Sequence, residues 1–108
     1  MLNQLHLAML GLYKGDAKRI QHFCKVHGYA KLIAECEKVD KETLFVLEAA
    51  ALTHDIGIHL CEEKYGDCSG KLQEKEGPAI AARLLGELEF EKQVSERVQY
   101  LIAHHHTY

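Results

Sequence analysis

The sequence predicts an all-α fold, a compact bundle of about five helices. Apolar residues recur at three- and four-residue steps along most of the chain, which is the period of a helix. The chain has one proline, and runs of β-branched residues, which favour strands, are scarce. Its 108 residues, of which 47% are hydrophobic and 27% charged, suit one folded domain over residues 1–108.

A short turn is predicted between the first two helices. The first helix covers residues 3–13 and ends at Lys14 and Gly15. Asp16 is predicted to cap the second helix, because its carboxylate can accept hydrogen bonds from the free amides of a helix start. The apolar residues of the second helix form one stripe that is expected to face a core: Ile20, Phe23, Val26, Ala30 and Ile33.

The third helix is expected to be the most buried one. Asp40 is predicted to cap it, and it covers about residues 41–55. Its segment 44–52 is nearly all apolar, as is typical of a central helix. Gly57 ends this run, and a polar loop with several glycines is predicted over residues 59–75.

Two further helices complete the predicted bundle. Pro78 is placed in the first turn of the fourth helix, which runs to about residue 88, because a helix start needs no amide there. The fifth helix begins near Glu91 or Lys92 and runs into the histidines at 104–106. Its apolar stripe consists of Val94, Val98, Leu101 and Ile102. The chain stops in this helix without a capping glycine, which predicts a domain cut off at its C-terminal end.

Charge and composition argue against several classes of function. A net charge of -3 does not predict binding to a nucleic-acid polymer. No apolar stretch reaches the length of a membrane-spanning helix, and the first residues lack the basic leader and cleavage site of a signal peptide. The four cysteines form no Cys-x-x-Cys pair, so reduced thiols in a cytoplasmic protein are expected rather than a structural zinc site.

The predicted site begins with His54 and Asp55, which follow the apolar segment of the third helix. A buried histidine and a buried carboxylate both need partners, and one divalent metal would supply them. Neighbouring residues on a helix point roughly 100° apart, so both can reach one ion only where the helix ends. Gly57 provides such an end. The alternative is a helix-terminal histidine bonded to a carbonyl beside a solvated aspartate.

His22 on the second helix is the third candidate ligand. The short connection between helices two and three predicts antiparallel packing, which brings His22 towards the end of helix three. A boundary residue without a ligand role is the alternative. His27 competes for the same role, but it lies off the His22 face and is assigned to the surface or to the residues around the ligands. Arg19 either reaches a phosphate or pairs with Asp16.

These residues resemble the HD superfamily of metal-dependent phosphohydrolases. The matching segments are residues 19–22, Arg-Ile-Gln-His, with Val26, and residues 47–57, Leu-Glu-Ala-Ala-Ala-Leu-Thr-His-Asp-Ile-Gly. In that family a histidine on one helix is followed, a few tens of residues later, by an apolar run that ends in His-Asp-x-Gly. The resemblance spans about residues 17–106. It implies an HD-type helical domain whose first metal is bound by the three candidates above.

The resemblance leaves a second metal open. Relatives with two metals carry a histidine before Pro-x-x-Gly-Ala, and the corresponding segment here is residues 77–82, Gly-Pro-Ala-Ile-Ala-Ala. Gly77 therefore stands where the histidine is expected. Either Glu74 or Glu76 substitutes for it, or the second metal is absent.

The resemblance also implies a pair of histidine ligands on the last helix. The pair is assigned to His105 and His106, with His104 as the alternative; a remnant of a purification tag or a solvated chain end is the interpretation without a ligand role. The sequence departs from the family pattern at two places. Ile58 occupies the position where many relatives have a lysine after His-Asp-x-Gly, and the sequence ends at Tyr108 before the aspartate that closes the first metal's shell in relatives.

Other residues near the predicted site have weaker patterns. Lys71, Lys75 and Arg83 follow the His-Asp segment and are candidate phosphate contacts, with a solvated basic face as the alternative. Cys61 and Cys68 flank the predicted loop, and thiolates there are possible metal ligands or simply loop residues.

The sequence thus predicts a metal-dependent phosphohydrolase in which His54 and Asp55 carry the chemistry. Imidazole and carboxylate ligands suit Mn, Fe, Ni, Co, Zn or Mg. The expected substrate is a small, phosphorylated, nucleotide-like molecule. The alternative is a catalytically degenerate HD-type module with a regulatory or ligand-binding role, and the third hypothesis is a purely structural helical domain with incidental histidines.

The first helix also predicts a homo-oligomer. It has more apolar residues than one small core is expected to cover: Leu2, Leu5, Leu7, Met9, Leu10 and Leu12. A helix that is apolar on several sides is usually buried, so a second subunit is a candidate partner.

Overall fold

A computed structural model of the protein describes residues 2–66 and 70–104, and in these residues the chain forms α-helices and no strand. The six helices are α1 (Leu2–Leu12), α2 (Ala17–Cys36), α3 (Lys41–Thr53), α4 (Ile58–Tyr65), α5 (Gly70–Glu87) and α6 (Lys92–His104). The prediction of an all-α fold is confirmed, with one helix more than expected. In the described part of the chain, no helix is both long and apolar enough to cross a membrane.

The helices belong to two compact units, unit 1 over Met1–Thr53 and unit 2 over His54–Tyr108. In unit 1, α3 packs against both α1 and α2. Its core is formed by apolar side chains of all three helices and of the turn after α1: Leu5, Met9, Tyr13, Phe23, Val46, Ala49 and Leu52. Burial of α3 is the most extensive, since six consecutive residues at its end, 48–53, are all buried.

Both helix caps predicted for unit 1 are confirmed. The Arg19 backbone amide donates to Asp16 Oδ1 over 3.4 Å at the start of α2. The Thr43 amide donates to Asp40 Oδ1 over 2.6 Å at the start of α3. These bonds satisfy amides that have no partner within the helix, so the two aspartates fix where α2 and α3 begin.

One member of the predicted α2 stripe is misplaced. Phe23 and Ala34 are buried, whereas Ile33 is 61% exposed. Successive residues of a helix are turned by about 100°, so a core face that passes through Phe23 and Ala34 leaves Ile33 at its outer edge. The face of α2 that is buried in the core of unit 1 is therefore narrower than the apolar pattern predicted.

In unit 2, α5 packs against both α4 and α6. The predicted stripe of α6 is largely confirmed, since Val94, Val98 and Ile102 are buried while Leu101 is 36% exposed. Ala81 and Leu85 are the fully buried apolar residues of α5.

The polar loop predicted over residues 59–75 is wrong for the part that the structure describes. Helix α4 covers Ile58–Tyr65, and α5 already begins at Gly70. Gly66, which suggested a loop, is the C-cap of α4: it has a φ of 68°, and its amide donates to the Glu62 carbonyl. A glycine in the left-handed region is a common helix end, so it marks a boundary here and not a long loop.

Pro78 lies inside α5 and not in its first turn, which corrects the predicted start of the fourth helix. A proline within a helix removes one backbone hydrogen bond, and its ring crowds the Cβ atom of the residue before it. That residue is Gly77, which has no Cβ atom. The glycine therefore removes part of the steric cost and allows α5 to continue through the proline.

Candidate metal centre

His54 and Asp55 lie in the turn that directly follows α3. The helix ends at Thr53, two residues earlier than the predicted end, and the Thr53 hydroxyl donates to the Ala49 carbonyl over 2.8 Å. The Ile58 amide donates to the Asp55 carbonyl over 3.0 Å, which leads the chain into α4. Because both residues lie outside the helix, the 100° separation of helical neighbours does not apply to them. Their side chains are 16% and 17% exposed.

His22 lies in the second turn of α2, a helix that packs against α3. The start of α2 is fixed by Asp16, which also pairs with the Arg19 guanidinium over 2.9 Å. Of the two roles considered for Arg19, the structure therefore shows the pairing with Asp16. His22 is exposed, in contrast to the half-buried His54 and Asp55.

The structure brings His22, His54 and Asp55 together. One ligand atom from each lies within 4.8 Å of the other two, and His54 Nε2 is 3.0 Å from Asp55 Oδ2. Nitrogen and oxygen ligands that bind one ion at about 2.0–2.2 Å lie about 3.0–3.5 Å from one another. Two imidazoles and one carboxylate thus form a donor set that fits a divalent transition metal. Three protein ligands also leave positions open for water or substrate, as in catalytic sites.

The competing histidine, His27, has a different partner. Its Nε2 lies 3.0 Å from Glu48 Oε1, and the side chains are 19% and 10% exposed. His27 is not part of the group around His54. The preference for His22 over His27 as a metal ligand stays a prediction.

The pairing of Glu48 with His27 was not predicted from the sequence. Glu48 is the one acidic residue in the apolar segment 44–52, and it is 7% exposed. A buried carboxylate needs a partner, and this requirement was the available signal. The identity of the partner depends on how α2 packs against α3, because His27 is 21 residues away in sequence.

Position 77 has no room for the histidine that two-metal relatives carry. A Cβ atom added to Gly77 would lie 2.9 Å from Ile102 Cγ2, which is closer than real contacts of this kind. A Cβ atom added to Gly57 would lie 3.3 Å from the Gly77 nitrogen, so the two glycines allow a close approach of backbone to backbone. The close packing of unit 2 therefore requires a residue without a side chain at position 77.

The two glutamates considered as substitutes are not in the ligand group either. Glu76 accepts hydrogen bonds from Lys64 Nζ over 3.2 Å and from the Tyr65 hydroxyl over 2.7 Å. These bonds hold the pKa of the Glu76 carboxyl below its usual value, with the Tyr65 hydroxyl as the largest cause. Glu74 is half-buried on α5 and, like Glu76, lies outside the group that contains His54.

The candidate phosphate contacts lie on α5. Lys71 and Lys75 are exposed, and Lys75 Nζ is 5.9 Å from the centre of the Tyr65 ring. Arg83 is 84% exposed, and its Nε is 3.7 Å from Glu87 Oε1. Their role as phosphate contacts stays a prediction. Ile58, where relatives have lysine, is 8% exposed and supplies no cation.

Several predicted residues fall outside the described part of the chain. His105 and His106 are beyond it, and their role as ligands stays a prediction. His104, the alternative, ends α6 in an exposed position with its ring centre 4.3 Å from that of Tyr100. Cys68 is likewise outside the described residues. Cys61 is buried and, with Cys24 and Cys36, forms no disulfide.

Comparison with known proteins gives one match. The family model described as HD domain matches residues 19–108, which is most of the chain. No curated protein and no solved structure matches at a significant level. The matched range contains all three residues that the structure gathers at the end of α3.

Proposed function

The chain belongs to the HD domain family, and from this premise we propose that it is a metal-dependent hydrolase of phosphomonoesters or phosphodiesters. The observation that carries the proposal is the group formed by His22, His54 and Asp55, whose ligand atoms lie within 4.8 Å of one another. The proposed substrate is a small, phosphorylated, nucleotide-like molecule, and the proposed location is the cytoplasm.

Each of the three residues has a role in this proposal. His22 and His54 bind the metal through imidazole nitrogens, and Asp55 binds it through a carboxylate oxygen. A bound divalent ion lowers the pKa of water and polarises a phosphoryl oxygen. Asp55 is half-buried beside His54, so its second oxygen is suited to orient a water molecule towards phosphorus and to accept a hydrogen bond from it.

The residues of α5 complete the proposed substrate site. Lys71 and Lys75 are exposed cations that attract phosphate, and Arg83 can exchange its solvent-exposed pairing with Glu87 for a phosphate at little cost. A guanidinium can bind a phosphate with two parallel hydrogen bonds, which an ammonium cannot.

A second candidate function is a degenerate HD-type module that binds a metal or ligand without hydrolysis. Two observations favour it. Ile58 is buried where many relatives carry a lysine, and Gly77 is packed so closely that a histidine does not fit there. The chain therefore lacks two side chains that the resemblance leads one to expect, the lysine and the histidine of the second metal.

The first experiment measures bound metal. The purified protein is loaded with Mn²⁺, Zn²⁺ or Fe²⁺, desalted and analysed for metal per chain. We expect about one ion per chain, and a loss of affinity of about 100-fold or more in His54→Ala and Asp55→Asn, because removal of a ligand costs at least as much as removal of its supporting residues. The matched control is His27→Gln on the same helix as His22, which is expected to retain the metal.

The second experiment measures turnover with p-nitrophenyl phosphate, bis-p-nitrophenyl phosphate and nucleoside phosphates in the presence of Mn²⁺. We expect hydrolysis that falls by about 10²–10⁴-fold in Asp55→Asn. Metal binding without turnover of any of these substrates supports the module in place of the enzyme. Hydrolysis that survives both His54→Ala and Asp55→Asn contradicts the assignment of the site.

A further inference from the structure

Helix α2 has an unpartnered apolar face in its C-terminal half. Tyr29, Leu32 and Ile33 are 56%, 58% and 61% exposed. Residues spaced by three and four lie on the same side of a helix, so these three side chains form one continuous patch, which we call the α2 stripe. A contiguous exposed apolar patch is typical of an interaction site.

Helix α1, where the sequence suggested an oligomer contact, has no comparable face. Leu5 and Met9 are fully buried, and the exposed leucines are Leu7 and Leu12. These two are five residues apart and so point about 140° from each other. The exposed leucines of α1 therefore form no common face, whereas the three residues of the α2 stripe point to the same side of their helix.

The charges along α2 indicate what covers the α2 stripe. The helix has no acidic residue in its first turn and no basic residue in its last turn, so its charges do not compensate its own dipole. Lys25 is exposed on the N-terminal side of the stripe, with its Nζ 6.0 Å from the centre of the Tyr29 ring. Glu35 is exposed on the C-terminal side, and although it points about 80° away from Lys25, both lie towards the Leu32 side of the stripe. When a second α2 runs in the opposite direction, the positive side of each stripe therefore lies beside the negative side of the other.

We propose that two copies of this chain associate through antiparallel packing of their α2 stripes about a two-fold axis near residue 30. Each Lys25 then lies level with Glu35 of the other copy, so the same ion pair forms twice. The two helix dipoles are then antiparallel, which is their favourable arrangement.

Gly28 supports this register. It is exposed, and a Cβ atom added to it would meet nothing within 4 Å, so it leaves a gap beside the α2 stripe. In the proposed packing Gly28 lies level with Leu32 of the other copy. A large apolar side chain opposite a glycine allows two helices to pack as ridge into groove.

The association is expected to be weak. Three partly exposed side chains per copy provide less area than the roughly 800 Å² per partner of a standard stable interface. We therefore expect a dissociation constant on the order of 100 µM.

Sedimentation velocity from about 10 µM to about 1 mM, with a reductant to keep the exposed Cys36 reduced, tests the proposal. Leu32→Asp is expected to raise the dissociation constant at least about 10-fold, because it places a charge in the apolar contact. Tyr100→Asp on α6, at a side chain that is 65% exposed, is the matched control and is expected to leave association unchanged. Circular dichroism confirms that each variant is folded.

A charge swap tests the register. Lys25→Glu and Glu35→Lys are each expected to raise the dissociation constant about 10-fold, because each turns two attractions into two repulsions. The double variant Lys25→Glu with Glu35→Lys restores both pairs, so dimer formation is expected to return. A protein that stays monomeric at 1 mM, or a double variant no better than the single ones, overturns the proposal. Neither readout depends on metal or on turnover.

Discussion

At the scale of single residues, the unusual feature of unit 1 is the buried carboxylate of Glu48. It lies in the middle of a buried helix with 7% of its surface exposed, and His27 Nε2 lies 3.0 Å from its Oε1. The ring of His6, on α1, lies edge-on to that of His27 with 5.7 Å between their centres. His6 Nε2 is also 3.2 Å from Cys24 Sγ. Titratable groups from all three helices of unit 1 therefore meet around one buried carboxylate.

His6 makes the stability of the protein depend on pH in a definite direction. Burial, and then the charge of His27, lower the pKa of His6 below its ordinary value of 6.5. Between the lowered folded pKa and 6.5 the unfolded chain binds more protons, so the free energy of unfolding increases with pH. The contribution of His6 is complete above pH 6.5 and is lost as the pH falls towards the folded pKa.

Chemical denaturation between pH 5 and pH 8 measures this effect. We expect His6→Gln to unfold with a shallower pH dependence below pH 6.5 than the unaltered chain. The two chains differ only at residue 6, so the difference between their curves reports on His6, while Cys24, His27 and Glu48 stay in place. Parallel curves for the two chains would show that His6 titrates as it does in the unfolded state.

The proximity of the three candidate ligands follows from local signals in the sequence, and their role as ligands stays a prediction. His54 and Asp55 are adjacent polar residues after an apolar run, and His22 lies on a helix with a short connection to that run. The structure brings all three together. The pairing of Glu48 with His27 was out of reach, because it depends on the relative rotation of two packed helices, which no short pattern encodes.

At the scale of elements, the helix starts that depend on neighbouring residues were predicted, and the features that depend on packing were not. The starts of α2 and α3 follow from Asp16 and Asp40, whose carboxylates act on amides three residues ahead. Helix α4 and the passage of α5 through Pro78 were missed. Glycine and proline usually interrupt helices. Here the backbone at Gly57 lies close to the backbone at Gly77 within unit 2, and this packing favours helices over the predicted loop.

Gly77→Ala tests whether this close packing holds α5 and α6 together. Alanine gains about 1 kcal/mol in helix propensity, but its Cβ atom would lie 2.9 Å from Ile102 Cγ2, and overpacking a core costs about 1–3 kcal/mol. Ile102 is fully buried and β-branched, so its methyl group has little freedom to move. These two terms leave a net loss of roughly 0–2 kcal/mol in the free energy of unfolding, and crowding of the new Cβ atom by the ring of Pro78 adds to that loss, which urea denaturation measures.

Gly86→Ala is the control on the same helix. A Cβ atom at position 86 meets nothing within 4 Å, so the substitution is expected to gain roughly 0.5 kcal/mol from helix propensity near the helix end. If Gly77→Ala stabilises the protein as Gly86→Ala does, the contact between Gly77 and Ile102 is not tight and position 77 has room for a side chain.

At the scale of the whole molecule, the proposed metal links stability to ligand concentration. The ligands come from the second turn of α2 and from the turn after α3, far apart in sequence. The unfolded chain does not hold them together, so the ion binds the folded state preferentially. An ion at 100 times its dissociation constant stabilises the folded state by about 2.7 kcal/mol. For a chain of this length that corresponds to an increase of roughly 10 °C in Tm.

A thermal melt with and without Mn²⁺ measures this increase, and the sharpest comparison is with Asp55→Asn. The chain contains eight histidines, which in the unfolded state can also bind metal and so reduce the gain in stability. Asp55→Asn retains every histidine and changes only the carboxylate of the ligand group. It therefore preserves binding to scattered histidines while it weakens the site itself. We expect the increase in Tm to disappear in Asp55→Asn and to persist in His27→Gln, whereas equal increases in all three chains would assign the metal to scattered histidines.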